Sequence, residues 1–415
     1  MSDAAYLRHI EAAARPPALA GTAVDNAAIL DAGMLGIGLA AALLEAGIAT
    51  TLIETDAGAA ERASHALDRM IARRVEAGEI TALDARRQLQ RCRVTTEWDG
   101  VAQVVFAYAP AFAKLTYLPK LCVSLSDPGT LATTPHPDRT VAMGLTAPVY
   151  ATHVVELAPG AAAFEPLGLA QSLIASLSLL TVCSDHAIAP RLLDGLREIS
   201  DTLLMDATTP WELDEAMRDF GFATGVYEAQ DDEGLDVGYA RRRAATRDPA
   251  RRIIPISDRM VAEGRLGRSV GVGWYRYPGG GGRVIDPLLE DMITEEAWFA
   301  KVDRVSLTPE EMMHRLLLGL INHAAGMLHA GDVGHVADID ILSVHALGFP
   351  RDRGGVLRYA DQLGAGAVVA GLRALSREDP ALWDPSPLLV EMARTGSRFT
   401  ATEECPNAGC RGPSA

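Results

Sequence analysis

The stretch Asp31-Ala32-Gly33-Met34-Leu35-Gly36, with Glu54 further on, has the spacing of a turn that cradles a dinucleotide pyrophosphate. In such a turn the first glycine makes the bend and the second admits the phosphate to the backbone. The third packs helix against strand, and an acid about twenty residues on holds the ribose 2′-hydroxyl. Gly33, Leu35, Gly36 and Glu54 are therefore the candidate cofactor contacts, and the cofactor they suit is NAD. The first glycine is replaced by Asp31, which is antagonistic. A side chain there crowds the bend, and a carboxylate repels the charge that a helix N-terminus attracts. Downstream, Arg62, Arg69 and Arg73 fall near one face of a helix, where a solvated surface is the alternative to an anion site.

The elements that must position these residues are legible. Ala27–Leu30 reads as a strand, Gly36–Ala46 as an alanine-rich helix, and Thr50–Ile53 as a second strand ending in Glu54. That is a βαβ unit. Further strands are expected at Val101–Val105, Lys120–Leu125, Thr140–Leu145 and His153–Leu157, and an N-terminal helix at Ala4–Ala14. Beyond about residue 183 the pattern turns helical, with apolar spacing over Ile188–Met205 and a proline-started helix through Trp211–Phe220. The second half also echoes itself. Pro190-Arg191-Leu192-Leu193 leads to Leu213-Asp214-Glu215 and Gly221-Phe222, as His314-Arg315-Leu316-Leu317 leads to Ile339-Asp340-Ile341 and Gly348-Phe349. Two tandem copies of one helical unit would bury their apolar faces against each other. Between them, the glycine run Gly279–Gly282 reads as a turn.

A chain of 415 residues is too long for one core. The expected domains are an N-terminal helix and linker (1–24), a Rossmann-like domain (25–183), two helical repeats (184–300 and 301–400) and a flexible tail (401–415). The fold class is thus α/β followed by all-α. The net charge of -16 argues against nucleic acid or an anionic membrane as partner. No apolar run approaches a bilayer span, and Met1–Arg15 lacks the apolar core of a signal peptide. Five cysteines, at 92, 122, 183, 405 and 410, form no framework and suit a reducing, cytoplasmic setting; Cys405 and Cys410 read as free thiols. No metal site is expected.

Together with the turn, several separated motifs resemble the NAD-dependent 3-hydroxyacyl-CoA dehydrogenases, in particular the dehydrogenase half of multifunctional β-oxidation enzymes. They are Gly225-Val226-Tyr227-Glu228, Asp231-Asp232-Glu233-Gly234-Leu235-Asp236, Gly271-Val272-Gly273-Trp274-Tyr275, Ile321-Asn322-His323-Ala324 and Gly348-Phe349-Pro350-Arg351. The resemblance spans about residues 25–400. It implies a Rossmann-like domain followed by tandem helical domains, and acyl-CoA as substrate. It also implies a histidine base oriented by a glutamate, with a serine and an asparagine on the substrate oxygen.

Carried over residue by residue, the serine falls on Ser124 and the glutamate on Glu156, the two retained catalytic candidates. The histidine falls on Gly144 and the asparagine on Pro190, so two of four positions are lost. The family's Val-Glu-Ala-Val segment reads Val105-Phe106-Ala107-Tyr108, and the helix after it is expected to be short. Arg62, Arg69 and Arg73 lie where the family receives the CoA phosphates. His186, where the family has a glycine, is the speculative replacement imidazole; a solvated histidine is the alternative. His153 is discounted, because three residues along a strand place it opposite Glu156. Ser124 and Glu156 have ordinary readings too, as a hydroxyl satisfying backbone and an acid at a strand end.

Three functions follow. One is an NAD-dependent oxidation with a relocated base. The second is a catalytically silent subunit, a pseudoenzyme, that binds acyl-CoA or a hydratase or thiolase partner in fatty acid metabolism. The third is a non-redox reaction on a CoA thioester. The chain is expected as a monomer or homodimer, since the duplicated repeat can satisfy the association surface within one chain.

Overall fold

The computed structural model describes residues 1–16, 23–31, 33–98, 101–115, 117–145, 152–244 and 249–401. The chain divides into two compact units, one of Met1–Leu7 with Pro190–Glu403 and one of Arg8–Ala189 with Glu404–Ala415.

The first unit is a parallel-dominated sheet. Its strands are β1 (Asn26–Leu30), β2 (Ala49–Ile53), β3 (Cys92–Thr95), β4 (Val104–Ala107), β5 (Leu121–Ser124), β6 (Thr140–Leu145), β7 (Val154–Ala158) and β8 (Leu180–Cys183). They lie in the order β3-β2-β1-β4-β5-β6-β7-β8. Only β6 and β7 pair antiparallel. The strand order reverses beside β1, the place where open α/β sheets bind ligands at their carboxyl ends. The helices of this unit are α2 (Gly33–Glu45), α3 (Ala57–Glu76), α4 (Ala82–Gln90) and α5 (Phe164–Ser176). One sheet face, through Ile29, Leu52, Phe106, Val123 and Val155, meets them in the main core.

The opposite face carries small residues, Ala28, Val105, Ala107 and Cys122, under Phe112. Between β4 and β5 the expected short helix is a six-residue 3₁₀ segment, Ala109–Lys114. Cover comes instead from Trp98 stacked on Tyr117 at 5.4 Å. The Tyr117 hydroxyl accepts from the Ala102 amide and donates to its carbonyl, at 2.7 and 3.0 Å. Cys92 and Cys122 are free thiols. Cys183 is disulfide-bonded, unlike the free thiols expected from the count, and Cys405 and Cys410 lie outside the described residues.

Beyond α1 (Asp3–Ala13) and the sheet, the chain is helical. The first repeat holds α6 (Ile188–Asp206), α7 (Pro210–Phe220), α8 (Val226–Glu233), α9 (Leu235–Ala244) and α10 (Ile256–Ala262), followed by α11 (Pro287–Phe299). The second holds α12 (Pro309–His329), α13 (Val336–His345), α14 (Val356–Leu363), α15 (Ala365–Leu375), α16 (Pro380–Trp383) and α17 (Pro387–Thr395). Both α7 and α12 start with a capping box closed by Thr209–Glu212 and Thr308–Glu311.

The echo in the sequence is a structural duplication. Asp214 on α7 accepts from the amides of Tyr227 and Glu228 at 3.0 and 2.9 Å. Asp340 on α13 accepts from Leu357 and Arg358 at 2.8 and 3.3 Å. Helices α6 and α12 cross reciprocally. A Cβ at Gly195 would lie 2.4 Å from His323, and one at Gly319 would lie 2.9 Å from Ile199. Exchanging the helices exchanges the two contacts, as across a two-fold axis. Phe222 and Phe349 close the same junction edge to face at 5.4 Å. Among the described residues, no helix is long and apolar enough to cross a membrane.

Candidate functional site

The register of the sheet brings the sequence candidates to one place. Ser124 pairs with Ala142, and Gly144 pairs with Glu156. Directly paired residues share a face, as do residues two apart along a strand. Ser124, Gly144 and Glu156 therefore lie on the same sheet face, near the carboxyl ends of β5 and β6. Ser124 is level with Ala158, so Glu156 lies two strands across and two residues along from it, about 12 Å away.

Glu156 is 6% exposed. Its carboxylate oxygens accept from the backbone N–H groups of Ile188 and Ala189, at 2.5 and 3.0 Å. These are the first two residues of α6, whose N-terminal amides have no partner inside the helix. Burial pushes the carboxyl up to about 7, against the pull of the two amides. Among the described residues no histidine is bonded to it. At Gly144 a Cβ would sit 3.2 Å from the Glu156 Cβ and 3.5 Å from its Oε1. A side chain at 144 would thus emerge directly beside the carboxylate, and glycine supplies none. Residues 146–151, including the proline of the Leu145-Thr146-Ala147-Pro148 run, lie outside the described residues.

Ser124 is fully buried, and its hydroxyl accepts from the Ser126 amide at 3.2 Å. His186 is exposed in a bend before α6. Its backbone N–H donates to the Ser184 hydroxyl at 3.0 Å, and its side chain has no hydrogen-bond partner among the described residues. His153 is also exposed, just before β7.

At the β1–α2 turn, Asp31 adopts φ +46 and Gly33 φ +49. Aspartate is among the few non-glycine residues that enter this left-handed region readily. Asp31 is exposed and its amide donates to the Ile53 carbonyl, so this residue holds the left-handed conformation at the bend. Its charge is a different matter. Glu54, 9% exposed at the end of β2, has its carboxyl raised by burial first and by Asp31 next, with Arg62 pulling it down. Asp56 lies close by as the α3 cap, accepting from Ala59 at 2.8 Å. Gly33 leaves a Cβ position open to 4 Å. Glu54 stands where the ribose 2′-hydroxyl would be held, and the Asp31 carboxylate is the one group of the turn whose charge opposes a pyrophosphate.

Arg62, Arg69 and Arg73 are all exposed on α3 and make no salt bridge among the described residues, though Arg62 acts on the Glu54 and Asp56 carboxyls. Their neighbour Arg74 is structural, held by Glu45 and Glu79 at 3.0 Å each. No cluster of His, Cys, Asp or Glu among the described residues is suited to a metal.

The sequence reading missed the amides of Ile188 and Ala189 as partners of Glu156. A helix start at Ile188 was visible, and with it a set of unsatisfied N–H groups, but nothing local pointed them at an acid 32 residues upstream.

A switch-point sheet with a glycine turn, joined to a duplicated helical unit, defines a dinucleotide-fold protein of the dehydrogenase type. Residues 26–111 match the model of the 3-hydroxyacyl-CoA dehydrogenase NAD binding domain, and residues 191–277 that of the C-terminal domain. The chain belongs to the 3-hydroxyacyl-CoA dehydrogenase family. It is 28% identical over 410 residues to the peroxisomal bifunctional enzyme of Danio rerio, covering 90% of this chain and 57% of that one. The chain thus spans little more than half the length of that relative. The fold is that of 3-hydroxybutyryl-CoA dehydrogenase from Escherichia coli (TM-score 0.70, 19% identity, 90% of this chain and 99% of that one). It is also that of the dehydrogenase part of multifunctional enzyme 1 from C. elegans (TM-score 0.67, 19% identity, 93% and 96%).

Proposed function

We propose that this chain binds an acyl-CoA thioester and is impaired in the NAD-dependent oxidation of a 3-hydroxyl that its family name describes. The observation that carries the reading is the Gly144–Glu156 pair. The position beside the acid has no side chain, so no imidazole stands there to take a hydroxyl proton. Losing a general base typically costs ~10²–10⁴-fold in rate. The acid itself is engaged with the two amides of α6 rather than with a base. The negative charge of Asp31 at the dinucleotide turn weakens NAD binding further.

In this reading Arg62, Arg69 and Arg73 receive the CoA phosphates, because they are exposed cations near one face of α3. Ser124 lies on the face where a substrate oxygen would sit, and Glu156 holds the start of α6. The physiological setting is a cytoplasmic fatty-acid catabolic assembly, with a hydratase or thiolase subunit as partner.

Calorimetry with a short-chain acyl-CoA tests the binding. The wild type should bind, and Arg62→Ala/Arg69→Ala/Arg73→Ala should weaken acyl-CoA more than the phosphate-free acyl-pantetheine. Equal weakening of both ligands, or none, removes the phosphate role. No acyl-CoA binding at all removes the proposal.

A further inference from the structure

The two helical repeats share a second pair of acids besides Asp214 and Asp340, Asp231 buried and Asp361 partly so. Asp231, three residues before Gly234, accepts from the amides of Trp274 and Tyr275 at 2.8 and 2.9 Å. Asp361, three residues before Gly364, accepts from Phe399 and Thr400 at 2.8 and 2.9 Å. Each repeat is thus closed by a short segment clamped to the same carboxylate, and Thr400 occupies the place of Tyr275.

The two side chains differ in what they reach. Tyr275 turns back into its repeat and donates its hydroxyl to Asp214 at 2.9 Å. Thr400 is too short for that. Its hydroxyl donates to Asp361 at 2.7 Å and accepts from Arg358 at 2.9 Å. Yet Asp340 does not lack a tyrosine. Tyr6, on α1, donates its hydroxyl to Asp340 at 2.9 Å. Tyr6 and Leu7 are buried at 6% and 2% exposure. Arg358 on α14 donates to Asp3 at 2.8 Å and to the Met1 carbonyl at 3.0 Å, and stands over the Tyr6 ring at 5.1 Å.

We infer that α1 supplies the second repeat with the buried tyrosine that the first repeat carries in its own closing segment, so that residues 1–7 are a structural part of that repeat. Each repeat then has the same three-part lock: an acid on its second helix, two amides at the start of its third, and a tyrosine hydroxyl from outside both. A buried acceptor that loses one of its donors is left with an uncompensated desolvation cost, so the lock opens when the tyrosine is withdrawn. Any event that draws the N-terminal segment away loosens α13 and α14 first.

Amide hydrogen exchange on the full chain tests this, comparing Tyr6→Phe with Tyr275→Phe. Tyr6→Phe should speed exchange at Leu357 and Arg358 roughly tenfold and leave Tyr227 and Glu228 unchanged. Tyr275→Phe should do the reverse. Unchanged exchange at Leu357 and Arg358 in Tyr6→Phe overturns the inference, and so does acceleration spread equally over both repeats. Should Tyr275→Phe fail to fold, Tyr6→Phe alone decides the matter at those two amides.

Discussion

Replacing Glu156 by glutamine separates a structural from a chemical role for this acid. In the wild type both carboxylate oxygens accept backbone N–H groups, Ile188 at 2.5 Å and Ala189 at 3.0 Å. Glutamine keeps one acceptor and turns an N–H donor toward the other amide. That leaves a buried donor unsatisfied, a cost of ~1–3 kcal/mol. Ionisation works in the opposite direction. Burial raises the wild-type carboxyl from 4.5 to about 7, which for a group 6% exposed amounts to roughly 3 kcal/mol. A pKa raised by folding gives stability that is complete below the unfolded value and lost as the pH climbs through the folded one. Wild-type stability should therefore fall between about pH 4.5 and pH 7, and the glutamine variant should lack that component. Denaturant unfolding should find Glu156→Gln less stable by ~1–3 kcal/mol near pH 5, with the gap closing or inverting by about pH 8. A gap that widens as the pH rises would refute the reasoning, because it would mean that the fold prefers the ionised acid.

Other perturbations have equally definite outcomes. Asp31→Gly relieves a positive φ of +46 and should leave stability unchanged or higher by up to ~1 kcal/mol, while an NMR titration finds the Glu54 carboxyl lowered toward its ordinary range. Gly355→Ala drives a Cβ to 2.5 Å from Asp340 at φ +114 and should cost about 2–5 kcal/mol in denaturant unfolding. Gly366→Ala, with nothing within 4 Å, should be neutral or stabilising by ~0.5–1 kcal/mol. Asp340 is raised to about 7, chiefly by burial, so its contribution is complete below the ordinary aspartate range and lost as the pH rises through about 7. Asp340→Asn should flatten that part of the stability–pH curve.

What the sequence discloses and what it hides divide along physical lines. The βαβ unit is local: apolar runs, a glycine turn and a terminal acid within some thirty residues fix it. The observed α2 begins at Gly33, three residues before the expected start. Gly144 and Glu156 were each placed by motif, but their pairing across β6 and β7 was not read from the sequence. Features set by distant partners left no local trace. Tyr6 and Asp340 are 334 residues apart, and neither stands out in a helix of its own. Asp31 was legible as a misplaced charge but not as a residue able to hold the left-handed turn, since that depends on backbone energetics rather than on charge. Cys183 gave no hint of a disulfide, because cysteine count alone does not pair thiols.

The central claim is that the family's dinucleotide site and base are both compromised while thioester binding remains. Titrating NAD and a saturated acyl-CoA separately into the wild-type chain by calorimetry tests it most directly, with NADH formation from a 3-hydroxyacyl-CoA followed on the same sample. The account predicts saturable acyl-CoA binding, NAD too weak to titrate, and no NADH formation above background. Micromolar NAD binding together with steady NADH production would contradict it, and would send the search for a base to His186.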